Sequence, residues 1–480
     1  MRFLACLLLS IATLPAAAQL PQPVLDRLRG TGIPEDALGI LVLRASDGRT
    51  LLSHGADRAM QPASTLKLLT SLAALETLGP AYRGRTELLT RGEPMEGVLR
   101  EDLVLRGGAD VDFDWQAFDH MLHLARMQGI REIRSDLVLD RSLFNPSRTD
   151  IGIGPFDEAP EFRYNVIPGA MLVNTNLVHL DMVSDGGEVR VAMTPPLEGV
   201  SVQSEFTLGD RACKDWEDGW KIPEVRKAFG GGLRIRLQGE FPRNCTAETA
   251  INVIDRMQFV ERLFRASWKR LGGTFRGKVR EGATPANARL LAEHRSRPLG
   301  EWLRDVNKAS DNPNTRLLFL TLGASTAAGS ALPTAQLADR EVRAWMQRRG
   351  IDPEGLLLEN GSGLSRTERI KPAQLAGVLK VARASAWSAE FNASLPIVAI
   401  DGGMRTRLQG SAAAGRARIK TGTLRDVSAI AGYVVADDDE PYIVVGMINH
   451  DLANKRAARP VLDALLEWVA SSKARAGIAP

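Results

Sequence analysis

RIKTGTLRDVSAIAGYVVA, residues 418–436, runs from a basic residue through the small polar triplet Lys420-Thr421-Gly422 into an apolar segment rich in strand formers. The turn-prone acidic stretch 437–440 then leads into PYIVVGMIN (441–449), so the two apolar segments read as paired strands. A second hairpin is expected near the other end of the chain. In ALGILVLRASDGRTLLSHG (37–55), residues 37–43 read as a strand, Asp47-Gly48 as the turn and 50–53 as the return strand. Between the hairpins lie helical patterns. PASTLKLLTSLAALETLG (62–79) repeats Leu66, Leu69, Leu72 and Leu75 at helical spacing and stops at Gly79-Pro80. TAQLADREVRAWMQRRG (334–350) and KPAQLAGVLKVARAS (371–385) read as further helices, and KRAARPVLDALLEWVAS (455–471) as a terminal one despite Pro460. Strands from both chain ends with helices between them imply one α/β (α+β) domain closed around whatever lies in the middle.

The middle has a different texture. From about residue 90 to 285 many short strands alternate with Gly, Asp and Pro turns, among them NLVHLDMV (176–183), GGEVRVAM (186–193), VQSEFTLG (202–209) and LRIRLQGEF (233–241). The stretch WQAFDHMLHLARMQGI (115–130), bracketed by strands, suggests a small α/β unit. Helical character is expected to return with ANARLLAEHRSRPLGEWLRDVNKASDNPNTRLLFLTLG (286–323). The expected division is a leader at 1–18, a discontinuous main domain at 19–90 and 286–474, and an inserted region of one or two small domains at 91–285.

The chain opens on MRFLACLLLSIATLPAAAQ, with one basic residue, an apolar run and a small-residue exit, which reads as a secretory signal cut after Ala18. Of three cysteines Cys6 leaves with the signal, so Cys213 and Cys245 remain as an even pair, compatible with one disulfide or two separate thiols. With 61 basic against 57 acidic residues the net charge is only +4, and no basic block interleaved with aromatics points to nucleic acid. His120 and His123 lack further ligands nearby, so no metal or other cofactor is expected.

Three separated polar elements carry chemistry. Ser64 and Lys67 are spaced to share one helical face, where an amine kept neutral by apolar and cationic neighbours can take the proton of a serine nucleophile. Taken alone, Ser-x-x-Lys is more often a cap or a solvated face. Ser310-Asp311-Asn312, before Pro313, reads alone as a loop or helix cap; functionally, Ser310 relays a proton to a leaving nitrogen and Asn312 steadies lysine or substrate. Lys420-Thr421-Gly422-Thr423 reads alone as a turn; functionally, the glycine admits a substrate backbone while lysine and threonine grip a carboxylate. In this order the three make the signature of penicillin-binding proteins and serine β-lactamases.

At this point the chain resembles peptidase family S13, the D-alanyl-D-alanine carboxypeptidases and endopeptidases of the penicillin-binding protein 4 type. The matching pieces, in family order, are PASTLKLLTSLAALETLG, KASDNPNTRLLFLTLG (308–323), ENGSGLSR (359–366), LPIVAIDGGMRTRL (395–408) and RARIKTGTLRDVSAIAGYV (416–434). The resemblance implies a β-lactamase-like fold with a long insert, Ser64 as nucleophile, Lys67 as base, Ser310, Asn312 and Lys420 as their partners, and Thr421, Gly422 and Thr423 as substrate-binding residues. Backbone groups of Ser64 and Thr423 would form the oxyanion hole. It also implies a Cys213–Cys245 disulfide, peptidoglycan peptides as substrates, β-lactams as covalent inhibitors, a periplasmic location and compatibility with a homodimer. Thr315-Arg316 and Gly403-Met404 depart from the family pattern, the second pair beside the substrate's terminal alanine. The rival readings are a β-lactamase or esterase, and a wall-binding protein without turnover; muropeptides and a Ser64→Ala variant separate them.

Overall fold

The hairpin read at 427–449 is the centre of a five-stranded antiparallel sheet with the strand order Ala417–Leu424, Val427–Val435, Pro441–Asn449, Leu38–Arg44, Thr50–His54. This computed structural model describes residues 19–453 and 455–476, so the leader expected at 1–18 lies outside the described residues. Both ends of the chain thus meet in one sheet, as their patterns implied. Side chains of the central strands alternate between two layers. Ala429, Ala431 and Tyr433 pack with the Lys67–Leu78 helix and its neighbours, while Ile430 and Val434 pack with the Gln22–Arg29 and Lys455–Ala470 helices. Burial on both faces explains why Val427–Val435 reads as an almost wholly apolar run, with Ser428 its polar residue.

The Lys67–Leu78 helix has no solvent face in its first turns. Leu68, Leu69, Leu72, Ala73, Ala74 and Leu75 are all buried, against helices that include Leu299–Asn307, Asn312–Ser325 and Pro372–Ala384. Gly79, at φ +81°, ends it.

The middle region has its own core. A second five-stranded sheet runs in the order Val279–Glu281, Leu137–Asp140, Leu103–Gly108, Arg85–Thr90, Arg289–Arg295, with three smaller three-stranded sheets beyond it. Two expectations need correction here. ANARLLAEHR is not helical: Arg289–Arg295 is a strand paired antiparallel with Arg85–Thr90, and helix begins only at Leu299, after Pro298. Its apolar residues suited either period, and the open strand edge decided between them. The reading of 90–285 as mostly strands also overlooked the fifteen-residue helix Arg256–Arg270, capped by Asp255 and burying Phe259, Leu263, Phe264 and Trp268. Because Arg85–Thr90 and Arg289–Arg295 pair with the insert's sheet, we propose that the inserted region runs from about 85 to 295 rather than 91 to 285.

Cys213 and Cys245 form a disulfide across 32 residues of sequence. Trp216 beside it is buried against Trp220 and Phe241. Closing a loop of that length restricts the unfolded chain, so Cys213→Ser with Cys245→Ser should cost about 2–4 kcal/mol in chemical unfolding of the insert. Unchanged unfolding would show that Trp216 and its neighbours suffice.

Candidate active site

Ser64 lies in the short 3-10 turn Ala63–Leu66 that leads directly into the Lys67–Leu78 helix. The turn is tightly made. Thr65 Oγ1 donates to the Pro62 carbonyl at 2.7 Å, and Ala63 takes the left-handed φ of +45°. A non-glycine residue there is strained, and it stands immediately before the serine.

Lys67 has no exposed surface. Its Nζ lies 3.0 Å from Ser64 Oγ, 2.7 Å from Asn312 Oδ1 and 2.5 Å from the Ser362 carbonyl. Burial, and then the nearby charge of Lys420, push its pKa well below the ordinary lysine value, against the opposing pull of Glu368 and Asp311. A neutral amine has two N–H groups and one lone pair. Asn312 Oδ1 and the Ser362 carbonyl accept only, so they take the two N–H groups and leave the lone pair facing the Ser64 hydroxyl.

The middle element is held from both sides. Asp311 caps the Asn312–Ser325 helix by accepting from Asn314 N at 2.8 Å, and its other oxygen accepts from Arg163 Nε and Nη2 at 3.0 and 2.7 Å. Arg163 belongs to the middle region of the chain. Its neighbour Tyr164 accepts from Asn312 Nδ2 at 3.3 Å through its carbonyl. Ser310 is at φ +60°, which turns its hydroxyl to accept from Lys420 Nζ at 2.9 Å. At Thr315-Arg316, a departure from the family pattern, Thr315 Oγ1 donates to the Asp311 carbonyl at 2.5 Å, while Arg316 Nη2 reaches the Leu364 carbonyl at 3.4 Å and its buried Nε has no partner among the described residues.

The strand Ala417–Leu424 brings in the third element. Lys420 is 1% exposed, donates also to the Thr421 carbonyl at 2.8 Å, and is pulled down by burial to about 7. Gly422 lies against the serine turn. A Cβ on it would sit 2.7 Å from the Pro62 carbonyl oxygen and 2.9 Å from Ser64 N. Thr423, next along the strand, is exposed, and a Cβ on Gly403 would stand 2.7 Å from Thr421 Oγ1. Gly403 therefore leaves that hydroxyl clear where a larger residue would crowd it.

Ser64, Lys67, Ser310, Asn312, Lys420, Thr421 and Gly422 are thus joined by direct contacts across three chain-distant segments. Sequence reading missed the fourth segment. ENGSGLSR carried family likeness but no role, and it supplies the Ser362 carbonyl to Lys67 and the Gly361 carbonyl to Thr70 Oγ1 at 2.7 Å. The available signal was its two glycines. Gly363, at φ +80°, packs so closely that a Cβ would fall 1.8 Å from the Ala63 carbonyl oxygen.

A family model described as the D-Ala-D-Ala carboxypeptidase 3 (S13) family matches residues 22–470. The chain belongs to that family. It is 28% identical over 418 residues to a D-alanyl-D-alanine carboxypeptidase of an Actinomadura strain, a match covering 84% of this chain and 76% of the relative. To D-alanyl-D-alanine carboxypeptidase DacB of Haemophilus influenzae it is 26% identical over 440 residues, 90% of each. Penicillin binding protein 4 of Haemophilus influenzae shares its fold, with a TM-score of 0.77 over 93% of this chain and 99% of that chain at 24% identity. As an S13 member the protein is a serine-type D-Ala-D-Ala carboxypeptidase.

In this S13 enzyme the closeness of Gly422 to the serine turn is open to direct test. Gly422→Ala must part the strand from Ser64, and displacement of a reacting group by about 1 Å costs on the order of 100-fold. Covalent labelling of the folded variant by a fluorescent penicillin should slow by about that factor; labelling at the wild-type rate would mean the strand yields without moving the site.

Proposed function

We propose that Ser64 is the nucleophile and Lys67 its general base in the release of the terminal D-alanine from peptidoglycan stem peptides. The observation that carries this is the placing of Lys67 Nζ between two acceptors and the Ser64 hydroxyl. The lone pair of Lys67 takes the Ser64 proton as Oγ attacks the penultimate carbonyl carbon, forming a tetrahedral oxyanion. Backbone N–H groups of Ser64 and Thr423 receive that oxyanion, and Gly422 is what lets the strand lie close enough. Ser310, bonded to Lys420, relays to the departing amine the proton that Lys67 took from Ser64, and the carboxylate of that amine is held by Lys420 and Thr421. Water then hydrolyses the acyl-enzyme. A β-lactam presents a carboxylate and a ring amide to the same groups and leaves a penicilloyl ester on Ser64.

D,D-endopeptidase action on cross-links is proposed for the same site. The support is a cleft of about 650 Å³ that runs along residues 309–313 and is walled on the other side by Tyr164, Glu217 and Thr249 of the insert. Export to the periplasm, where these substrates lie, is supported by the reading of residues 1–18 and by the disulfide. Among the described residues no helix is long and apolar enough to cross a membrane.

Incubation with D-alanine-terminated and cross-linked muropeptides tests the reading. Wild type should release D-alanine, Ser64→Ala none, and Lys67→Ala about a thousandfold less; release unaffected by Ser64→Ala would overturn it. A second outcome concerns pH. Acylation by penicillin should rise with pH as Lys67 gives up its proton, then fall as Lys420, at about 7 in the empty site, loses the charge that holds the carboxylate. An ester substrate without that carboxylate should lack the falling limb, and its presence there would remove Lys420 from carboxylate binding.

A further inference from the structure

The segment that carries Ser362 is wound around a single buried carboxylate. Glu368 is 1% exposed. Its Oε1 accepts the backbone N–H groups of Glu359, Asn360 and Gly361 at 3.1, 2.8 and 2.7 Å, and its Oε2 accepts that of Gly363 at 2.8 Å. Burial pushes the Glu368 pKa up, and the four converging N–H donors pull against it by favouring the ionised form. Ser362 is the residue in this run whose N–H goes elsewhere, to Asn360 Oδ1 at 3.0 Å. Its carbonyl points to Lys67 Nζ, while Thr70 Oγ1 ties the Gly361 carbonyl to the helix that bears Lys67. Glu368 touches neither Ser64 nor Lys67, yet it gathers the loop that gives Lys67 its second acceptor.

We infer that Glu368 is a positioning residue for acyl transfer: by holding the 359–363 backbone it keeps the Ser362 carbonyl on one N–H of Lys67, so that the lone pair stays aimed at Ser64. The inference rests on Lys67 being the base, as proposed above. Without the Ser362 acceptor the amine turns freely and spends its lone pair on other partners. The carboxylate also acts at a distance. Lys67 is faced by Lys420 and Arg316, which lower its pKa beside the larger effect of burial, and by Glu368 and Asp311, which raise it. Glu359, on the loop itself, is occupied by Ser365 and Thr367. Removing the Glu368 charge therefore makes Lys67 lose its proton at lower pH, while removing the Glu368 oxygens mispositions the lone pair.

These two effects separate a positioning role from a merely structural one. The rate constant for acylation by a chromogenic ester without a carboxylate, which lacks the falling limb set by Lys420, is measured from pH 5 to 9 for wild type, Glu368→Gln and Glu368→Asp, each first checked for folding by near-ultraviolet circular dichroism. The plateau of Glu368→Gln should fall about 30-fold, the cost of one misplaced buried hydrogen bond to a reacting group, and its acid limb should move to lower pH. Glu368→Asp keeps the charge and loses the reach, so its plateau should fall while its limb stays at the wild-type pH. That variant also carries the test if Glu368→Gln does not fold. A Glu368→Gln plateau within about threefold of wild type, or a fall with no movement of the limb, overturns the inference. If wild type itself is not acylated on Ser64, it is the functional proposal that fails, and the two results are told apart in one experiment.

Discussion

The structure depends on keeping one amine out of water. Lys67 has no exposed surface, and an unpaired ammonium in that position would cost several kcal/mol. A lowered pKa lessens that penalty, and acceptors for its N–H groups lessen it further. Those acceptors come from residues 245 and 295 positions further along the chain, Asn312 and Ser362, so satisfying one side chain pins together three remote segments. The same arrangement leaves the Lys67 amine 3.0 Å from the Ser64 hydroxyl.

The sheet supplies the remaining wall, and its contribution is steric. In the hairpin of Ala417–Leu424 and Val427–Val435, Lys420 is opposite Ala431 and Gly422 opposite Ala429, so the two residues lie two apart on one strand. A shift of one position would turn Lys420 away from Ser310. Gly422 and Gly363 approach the serine turn from different directions, and each lies where a Cβ would meet its backbone. The turn is thereby squeezed between strand and loop, which is consistent with the left-handed φ of Ala63 being held in place rather than relaxing. The middle region adds one further clamp, through Arg163 on Asp311 and the Tyr164 carbonyl on Asn312.

Much of this was legible in the residues because the main sheet and its helices obey strong local periods. Val427–Val435 and Pro441–Asn449 could only be buried strands, and the Ser64–Lys67 spacing, weak alone, gained meaning from Ser310-Asp311-Asn312 and Lys420-Thr421-Gly422. What was lost is what depends on tertiary context. Arg289–Arg295 has helical composition and becomes a strand because Arg85–Thr90 offers it an edge. The helix Arg256–Arg270 was hidden among strand patterns although its Asp255 cap was in plain view. Ser362 and Glu368 had no visible role because one acts through a carbonyl and the other through four backbone N–H groups. No side-chain pattern reports such contacts.

The central claim is that burial holds the Lys67 amine well below the ordinary lysine range, within reach of the Ser64 hydroxyl. Its charge is read directly by carbon NMR of protein labelled at the lysine Cε, with the Lys67 resonance assigned by its loss in Lys67→Arg and followed against pH. The account predicts a Lys67 titration well below the ordinary lysine value of about 10.4. A Lys67 resonance that stays in the ammonium range up to about pH 9 would contradict it.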